Sequence, residues 1–389
     1  MAAPDDSRIK PDRREPLSRK RSGAITIRDV ARSAGVAVGT VSRVLNSHRS
    51  VSPEVRESVV EAIRALGYEP DAVAQSMRLR TTRTVACAIR DISIAGFGSF
   101  VKAAEEVLRQ AGYTLLLTNT DEEPLREIEL LRTFAKRRVD GVIMTVSDEA
   151  DEPLLRTLEE MRVPIVLMDR DIALPLDVVA IDHRGGARAA TAHLLGLGHS
   201  RIALLTGHAS MRPAHERIAG FEEAHRRAGV APQLVRTGGF SAEFGFEQTA
   251  TLLDGDERPS AIIAGGMTML PGVLHAIGAR GLSVPEDVSV VAGADTDLAA
   301  LSARPVTAVR WSNADWGRHA VRLLLERIEG RYAADPRRVT LPTELVHRAS
   351  CAAPRQIGRA ARGVLDKSHV TSMDDRERPH EPAASAADH

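Results

Sequence analysis

The chain is predicted to fold as an N-terminal all-α helix-turn-helix headpiece followed by a two-lobed α/β body. Three observations lead there. Residues 25–67 carry three short helical patterns in succession. From Val85 onward, short apolar runs alternate with amphipathic stretches of helical period. That alternation is the mark of right-handed βαβ units and of parallel sheets covered on both faces. It extends over roughly 270 residues, long for one sheet when domains usually run to about 100–200, so two lobes are expected.

Residues 1–22, rich in Pro, Arg, Asp and Ser without apolar periodicity, read as a flexible basic arm. The headpiece is assigned to residues 23–70. Thr26 suits a helix N-cap, and Asp29 three positions on resembles a capping box. Ile27, Val30 and Ala31 then share one face, and Gly35 stops the run. A second helix carries Val38, Val41, Val44 and Leu45 on one side. The third starts at Ser52-Pro53, a cap followed by proline in the first turn, and runs through Val55, Val59, Ile63 and Leu66 to Gly67. A glycine-containing turn between the first two helices fits a helix-turn-helix. Residues 71–83 read as a short hinge helix capped by Asp71 and an extended Arg/Thr-rich linker.

Strands are expected at Val85–Ile89, Thr114–Thr118, Gly141–Val146, Pro164–Met168, Val178–Ile181, Ile202–Leu205, Ala261–Ala264 and Val288–Val291. Helical stretches fall between most of them: Val101–Ala111, Leu125–Arg137, Ala187–Leu197, Ile218–Ala228 and Val273–Ala279. A last helix, Ala314–Glu329, precedes a strand-like Arg338–Val346. The body is therefore assigned to residues 84–350, and the polar, Ala- and Arg-rich residues 351–389 to a disordered tail. There is no internal repeat beyond the βα alternation.

Whole-chain charge conceals an asymmetry. Lys+Arg 52 balance Asp+Glu 52, yet residues 1–83 hold 16 basic against 10 acidic side chains, a net of +6. The remainder holds 36 against 42, a net of −6. A basic first fifth on an acidic body suggests one module that meets a polyanion and another that does not; on charge alone, a merely solvated surface explains it equally well. No apolar run approaches the roughly 18 residues of a membrane span, and the charged N-terminus lacks the apolar segment of a secretory signal. These features point to a cytoplasmic location. Two cysteines, Cys87 and Cys351, exclude a disulfide framework or a Cys-based zinc site. Catalytic motifs are missing as well. His215-Glu216 begins like a zincin, but position 219 is Ala. Gly196-Leu197-Gly198 follows a helix and lacks a third glycine, and no Gly-Lys dipeptide exists for a Walker A loop. Neither enzyme, cofactor nor metal is expected.

The segment ITIRDVARSAGVAVGTVSRVLNSHRSVSPEVRESVVEAIRALGYEPDAVAQSMR resembles the DNA-binding headpiece and hinge of the LacI/GalR family of bacterial transcriptional repressors. Its T-I-x-D-V-A-x-x-A-G-V, T-V-S-R-V-L-N, V-S-P-E-V-R and A-I-x-x-L-G-Y blocks stand in the family's order and spacing. The later blocks RVDGVIM, HLLGLGHSRIALLTG, RIAGF, VPEDVSVV and PVTAVR extend the resemblance over residues 25–350. It implies a periplasmic-binding-protein-like body that binds an effector between its lobes and dimerises. Crossovers between lobes are expected near Asp182 and Trp311.

In that role, the second helix would read the major groove. The DNA-facing candidates are Thr26, Val38, Gly39, Thr40, Ser42, Arg43, Asn46 and Ser52, with Arg43 foremost for a base edge or phosphate and Thr40, Ser42, Asn46 and Ser52 suited to phosphates. Ala37 stands where the family usually has a Ser or Thr cap. Val38 and Gly39 replace larger polar readers, so operator choice is expected to rest on few direct contacts and more on DNA shape. In the hinge, Met77 matches the family's apolar wedge in the minor groove, and Val73 and Ala74 its close contacts.

The resemblance also carries effector-site candidates: Phe97, Asp169, Arg217, Phe240 and Asp295. Arg217 matches the family arginine that holds effector oxygens. Departures are larger here. Ile94-Ala95-Gly96-Phe97 replaces Asn-Pro-Phe-Phe, Gly266-Met267 replaces Asn-Asp, and Ala292-Gly293-Ala294-Asp295 replaces Gly-Phe-Asp-Asp. Losing these polar groups disfavours a free sugar. The expected effector is a less polar molecule, or an anion met by Arg217; a degenerate, effector-blind site is the competing reading. The chain is thus read as a homodimeric, nucleoid-associated repressor of a pseudo-palindromic double-stranded operator. A transport-type binding protein is the alternative class.

Overall fold

The structure, a computed structural model, describes residues 25–45, 50–68, 81–232, 234–256 and 258–355. The basic arm, most of the hinge and linker, and nearly all of the tail lie outside the described residues.

The headpiece is built from α1 (Ile27–Ser33), α2 (Val38–Leu45) and α3 (Pro53–Leu66). Thr26 begins α1: its N–H and Oγ1 both donate to Asp29 Oδ2, at 3.0 and 2.7 Å. Those bonds hold the Asp29 carboxyl below its usual range. Gly35 (φ 67°) turns the chain out of α1 and Gly67 (φ 61°) ends α3, conformations that a side chain disfavours. Val30, Ala31, Val41, Val44, Val59 and Ala62 form the buried centre. At about 1.5–3 kcal/mol for each fully buried valine, this is a small core for three helices.

From residue 81 the chain builds two α/β units. The first takes residues up to Gly186, then Gly207–Ala219 and Arg310–Glu344; the second takes Ala187–Thr206, Gly220–Val309 and residues from Leu345. In the first, β1 (Thr84–Ile89), β2 (Thr114–Asn119), β3 (Gly141–Met144), β4 (Ile165–Met168), β5 (Asp177–Ile181) and β11 (Arg338–Leu341) form a sheet of order β11-β5-β4-β3-β1-β2, parallel throughout. Helices α4 (Phe97–Gln110), α5 (Pro124–Arg137), α6 (Glu152–Glu160) and α12 (Asn313–Ile328) belong to it. In the second unit, β6 (Ile202–Gly207), β7 (Leu234–Gly238), β8 (Ala261–Ala264), β9 (Ser289–Ala292), β10 (Thr307–Arg310) and β12 (Glu344–Val346) repeat the order: β12-β10-β9-β8-β6-β7. Its helices are α7 (His183–Gly196), α8 (Arg212–Ala228), α9 (Ala242–Asp254), α10 (Leu270–Gly278) and α11 (Asp297–Leu301), with the first residues of α7 and α8 in the first unit.

Strands β3, β4, β8 and β9 are buried along their whole length, which is why they read as continuous apolar runs rather than alternations. Each unit also contains a helix pair in close backbone approach. A Cβ on Gly317 of α12 would stand 2.4 Å from the Phe100 carbonyl of α4, and one on Gly272 of α10 only 1.8 Å from the Ala242 carbonyl of α9. Among the described residues no helix is long and apolar enough to cross a membrane.

Some elements depart from expectation. Strands β7 and β10 were not foreseen: β7 carries Arg236 and Thr237 at a sheet edge, and β10 has only four residues. Arg338–Val346 is not one strand. It breaks at Pro342-Thr343 into β11 and β12, which belong to different sheets.

Candidate DNA-reading helix and effector site

On α2, Val41 and Val44 are buried and Leu45 packs against the headpiece core, leaving the opposite face outward. Val38 is 42% exposed, and Gly39 and Arg43 are exposed as well. Thr40 and Ser42, read as exposed from the sequence, are half-buried. Adjacent helices occlude them in part, an effect that helical periodicity alone does not register. A Cβ on Gly39 would meet nothing within 4 Å, so packing does not demand glycine there. Ala37 begins α2 through its carbonyl, which accepts from Thr40 N (2.8 Å) and Val41 N (3.3 Å); it has no side-chain oxygen to add. Ser52 is engaged as the cap of α3, its Oγ accepting from Val55 N at 3.5 Å. Asn46, Val73, Ala74 and Met77 lie outside the described residues.

The first unit concentrates buried charge at the carboxyl ends of its strands. Asp169 follows β4 with φ 56°, a left-handed backbone that is uncommon without glycine and recurs at functional sites. Its Oδ1 accepts from Arg212 Nη1 (2.6 Å) and Ile181 N (3.2 Å), and His183 Nε2 lies 2.6 Å from Oδ2. Arg170 Nε donates to the Val146 carbonyl at 2.5 Å, and its guanidinium lies 3.9 Å from Glu149. Glu149 also accepts from Arg212 N at 2.9 Å. Arg217, one turn further along α8, donates to the Pro213 carbonyl at 3.1 Å. Asp169, Arg170, His183, Arg212 and Arg217 are each no more than 7% exposed.

The electrostatics follow from that crowding. Burial pushes His183 down to about 4, the Arg217 guanidinium adds to the effect, and Asp169 only partly opposes it. The ring is therefore neutral at pH 7, with Nε2 donating to Asp169, and it meets Trp311 edge to face at 5.7 Å. Burial would raise Asp169, but His183 and the guanidiniums hold it far below the carboxylate range. Burial lowers Arg217 to about 10, so it stays cationic at neutral pH. Three guanidiniums thus crowd around Asp169 and Glu149, and Glu122 and Glu127 also act on Arg170. Beside them, Glu127 of α5 is completely buried, with Oε2 accepting from Ser147 Oγ at 3.1 Å and Oε1 unpartnered. Burial raises it to about 7 against the pull of Ser147 and Arg170.

The other candidates are placed differently. Phe97 is 6% exposed and stacks on Trp316 at 6.2 Å, with Phe100 edge-on, inside the first unit's core. Phe240, in the second unit, is half-buried and lies over Gly266, where a Cβ would come within 2.7 Å of its ring. Asp295 pairs with Arg348 at 2.7 Å. The structure therefore brings together Asp169 and Arg217 among the five. It joins to them Arg170, His183, Arg212 and Glu149, which sequence reasoning missed; Arg170, His183 and Arg212 stand near Asp169, Asp182 and Arg217 along the chain, whereas Glu149 has no such neighbour. Among the described residues no group of three or more His, Cys, Asp or Glu side chains is arranged to hold a metal ion.

A helix-turn-helix joined to a two-sheet α/β body with this strand order defines a bacterial DNA-binding transcriptional regulator. Residues 26–71 match the model for bacterial regulatory proteins of the lacI family, and residues 191–351 that for a periplasmic binding protein-like domain. The HTH-type transcriptional repressor PurR of Haemophilus influenzae (strain PittEE) is 34% identical over 305 residues, covering 78% of this chain and 91% of that protein. The ribose operon repressor of Halalkalibacterium halodurans is 35% identical over 323 residues, 83% and 96% of the two chains. Among solved structures, a lac repressor dimer bound to operator and the anti-inducer ONPF matches with TM-score 0.76 at 29% identity, over 85% of this chain and all of that one. A complex of the regulator CelR with cellobiose matches with TM-score 0.63 at 34% identity, over 84% and 99%. The chain belongs to the lacI family of bacterial regulatory proteins.

Proposed function

We propose that this regulator is a homodimeric repressor whose operator affinity responds to an anionic effector held in the first unit by Arg217 and its buried neighbours. The observation that carries the effector class is the cluster of three buried guanidiniums, Arg170, Arg212 and Arg217, gathered around Asp169 and Glu149 with His183 neutral. Clustered buried guanidiniums suit a carboxylate or phosphate, which accepts bidentate, charge-assisted hydrogen bonds from them. Asp169 is already occupied by His183, Arg212 and Ile181 N, which leaves it ill suited to a sugar hydroxyl. A neutral sugar is the second reading, favoured by the likeness to the CelR–cellobiose complex.

On the DNA side, Arg43 and Val38 are the base-edge candidates, and Thr26, Thr40, Ser42, Asn46 and Ser52 flank the backbone path. Gly39 contributes space rather than contact, so shape carries more of the specificity. Paired headpieces would read the half-sites of a pseudo-palindrome, with Val73, Ala74 and Met77 at its centre. The domain limits proposed are 1–22, 23–70, 71–83, 84–350 and 351–389. The protein acts in the cytoplasm, without catalysis or cofactor. The effector class is tested by calorimetry with sugar phosphates, sugar acids and neutral monosaccharides. Micromolar binding confined to the anions is expected; micromolar binding of a neutral monosaccharide with none by the anions overturns it.

A further inference from the structure

The residues by which the chain enters the α/β body from the headpiece side are held in an unusual way. Strand β1 starts at Thr84 and its ladder with β2 reaches the Arg83 carbonyl, so the sheet does not yet hold Thr82. One carboxylate does. Asp140 accepts from Thr82 N at 3.3 Å (Oδ1) and 3.1 Å (Oδ2), from Thr82 Oγ1 at 3.3 Å and from Thr84 N at 3.1 Å. It returns its own N–H to the Thr84 carbonyl at 2.8 Å. Thr82 Oγ1 lies 2.8 Å from the Arg138 carbonyl, which accepts from it.

On each side of this clamp a non-glycine residue is left-handed: Arg83 at φ 51° and Arg138 at φ 54°. Each conformation costs on the order of 1 kcal/mol and persists only where surrounding contacts impose it. For Arg83 those contacts are its carbonyl, bonded to Thr114 N at 2.8 Å, and its guanidinium, 4.9 Å above the Tyr113 ring. The residue after Asp140 packs closely on α12: a Cβ on Gly141 would stand 2.9 Å from Ile328 Cδ1 and Leu324 Cδ1.

We propose that Asp140 is a positioning residue for operator binding, fixing the direction in which the chain leaves the body towards the headpiece. This rests on the DNA-binding reading above. Were Asp140 only the start of a strand, its loss would lower the melting temperature and leave DNA affinity alone. As a director of the exit, its loss frees the chain at Thr82 from that fixed direction and weakens specific binding more than stability.

The test uses the full-length chain and a duplex selected from a random pool by the wild-type protein, with anisotropy and thermal melting read in parallel. Asp140→Ala is expected to weaken binding to that duplex about tenfold, roughly the worth of one charge-assisted hydrogen bond. Binding to an unselected duplex should change less than about twofold, since phosphate contacts carry it. Thr82→Val should weaken specific binding less, and the double variant should match Asp140→Ala, because both act through one clamp. If Asp140→Ala does not fold, Asp140→Asn and Thr82→Val make the same comparison while removing fewer hydrogen bonds. Variants that melt lower yet bind the selected duplex as wild type does overturn the proposal. A wild-type protein that enriches no sequence overturns the DNA-binding reading and the clamp with it.

Discussion

The two α/β units repeat one strand order and differ in what they place at the carboxyl ends of their strands. In the first, those ends carry Asp169, Arg170 and His183, all buried, with Asp169 bonded to His183 and to Arg212 of α8. In the second, the residues just after β8 and β9 are crowded by backbone. A Cβ on Gly265 would meet the Leu205 carbonyl at 2.5 Å, and one on Gly293 the Gly265 Cα at 2.7 Å. Gly266 yields its space to Phe240. Equal topology thus supports unequal chemistry: the first unit is a charged plate, the second a close-packed floor. Ligand polarity in such folds depends on a few strand-end residues, which can change without disturbing the sheet.

The comparison is broken most directly by deleting one carboxylate from each unit. Asp169→Ala strands Arg212 and His183 without their shared partner and should destabilise the fold by about 3–5 kcal/mol. Asp295→Ala, whose pair with Arg348 is less buried, should cost about 1–3 kcal/mol. Urea unfolding measures both, and equal losses would mean that the two ends are energetically alike. Next, Gly266→Asn restores the amide common in the family but drives a side chain into the Phe240 ring. A loss of about 1–3 kcal/mol is expected, relieved when Phe240→Ala is added.

A third test uses pH. Glu127 titrates near 7 in the folded protein, so its protonated form favours folding below the ordinary carboxylate range. That contribution is lost as pH rises from there to about 7. Glu127→Gln should therefore leave stability little changed at pH 4 and raise it by about 1–3 kcal/mol at pH 8; an equal gain at both pH values would assign the effect to packing. The smallest change concerns a glycine of the opposite kind. Nothing crowds Gly39, so Gly39→Ala should stabilise the headpiece by about 0.5–1 kcal/mol in thermal melting, whereas Gly266 tolerates no such exchange.

Much of the architecture was readable because local signals agree with the final fold. Thr26 with Asp29, Ser52-Pro53 and Gly67 mark helix ends by chemistry confined to a few residues, and the apolar runs of β3, β4 and β8 mark buried strands. What escaped depends on distant partners. The overlap of Phe240 with Gly266 and the pairing of Asp295 with Arg348 are tertiary facts, invisible in either segment alone. Nothing local to Arg212 marks its role; only the fold sets it against Asp169. The break at Pro342-Thr343 was missed because both halves suit a strand, and only sheet membership separates them.

That break also bears on how the protein is made. The first unit's sheet is completed at one edge by β11, Arg338–Leu341, and covered by α12, Asn313–Ile328. On the ribosome it therefore waits, unfinished, until nearly all of the second unit's strands have been synthesised. The headpiece has no such debt to later sequence; its three helices emerge together within the first 66 residues. A nascent chain would thus carry its DNA-reading helices long before either unit closes, so any ligand control of the protein arrives only with the last stretch of translation.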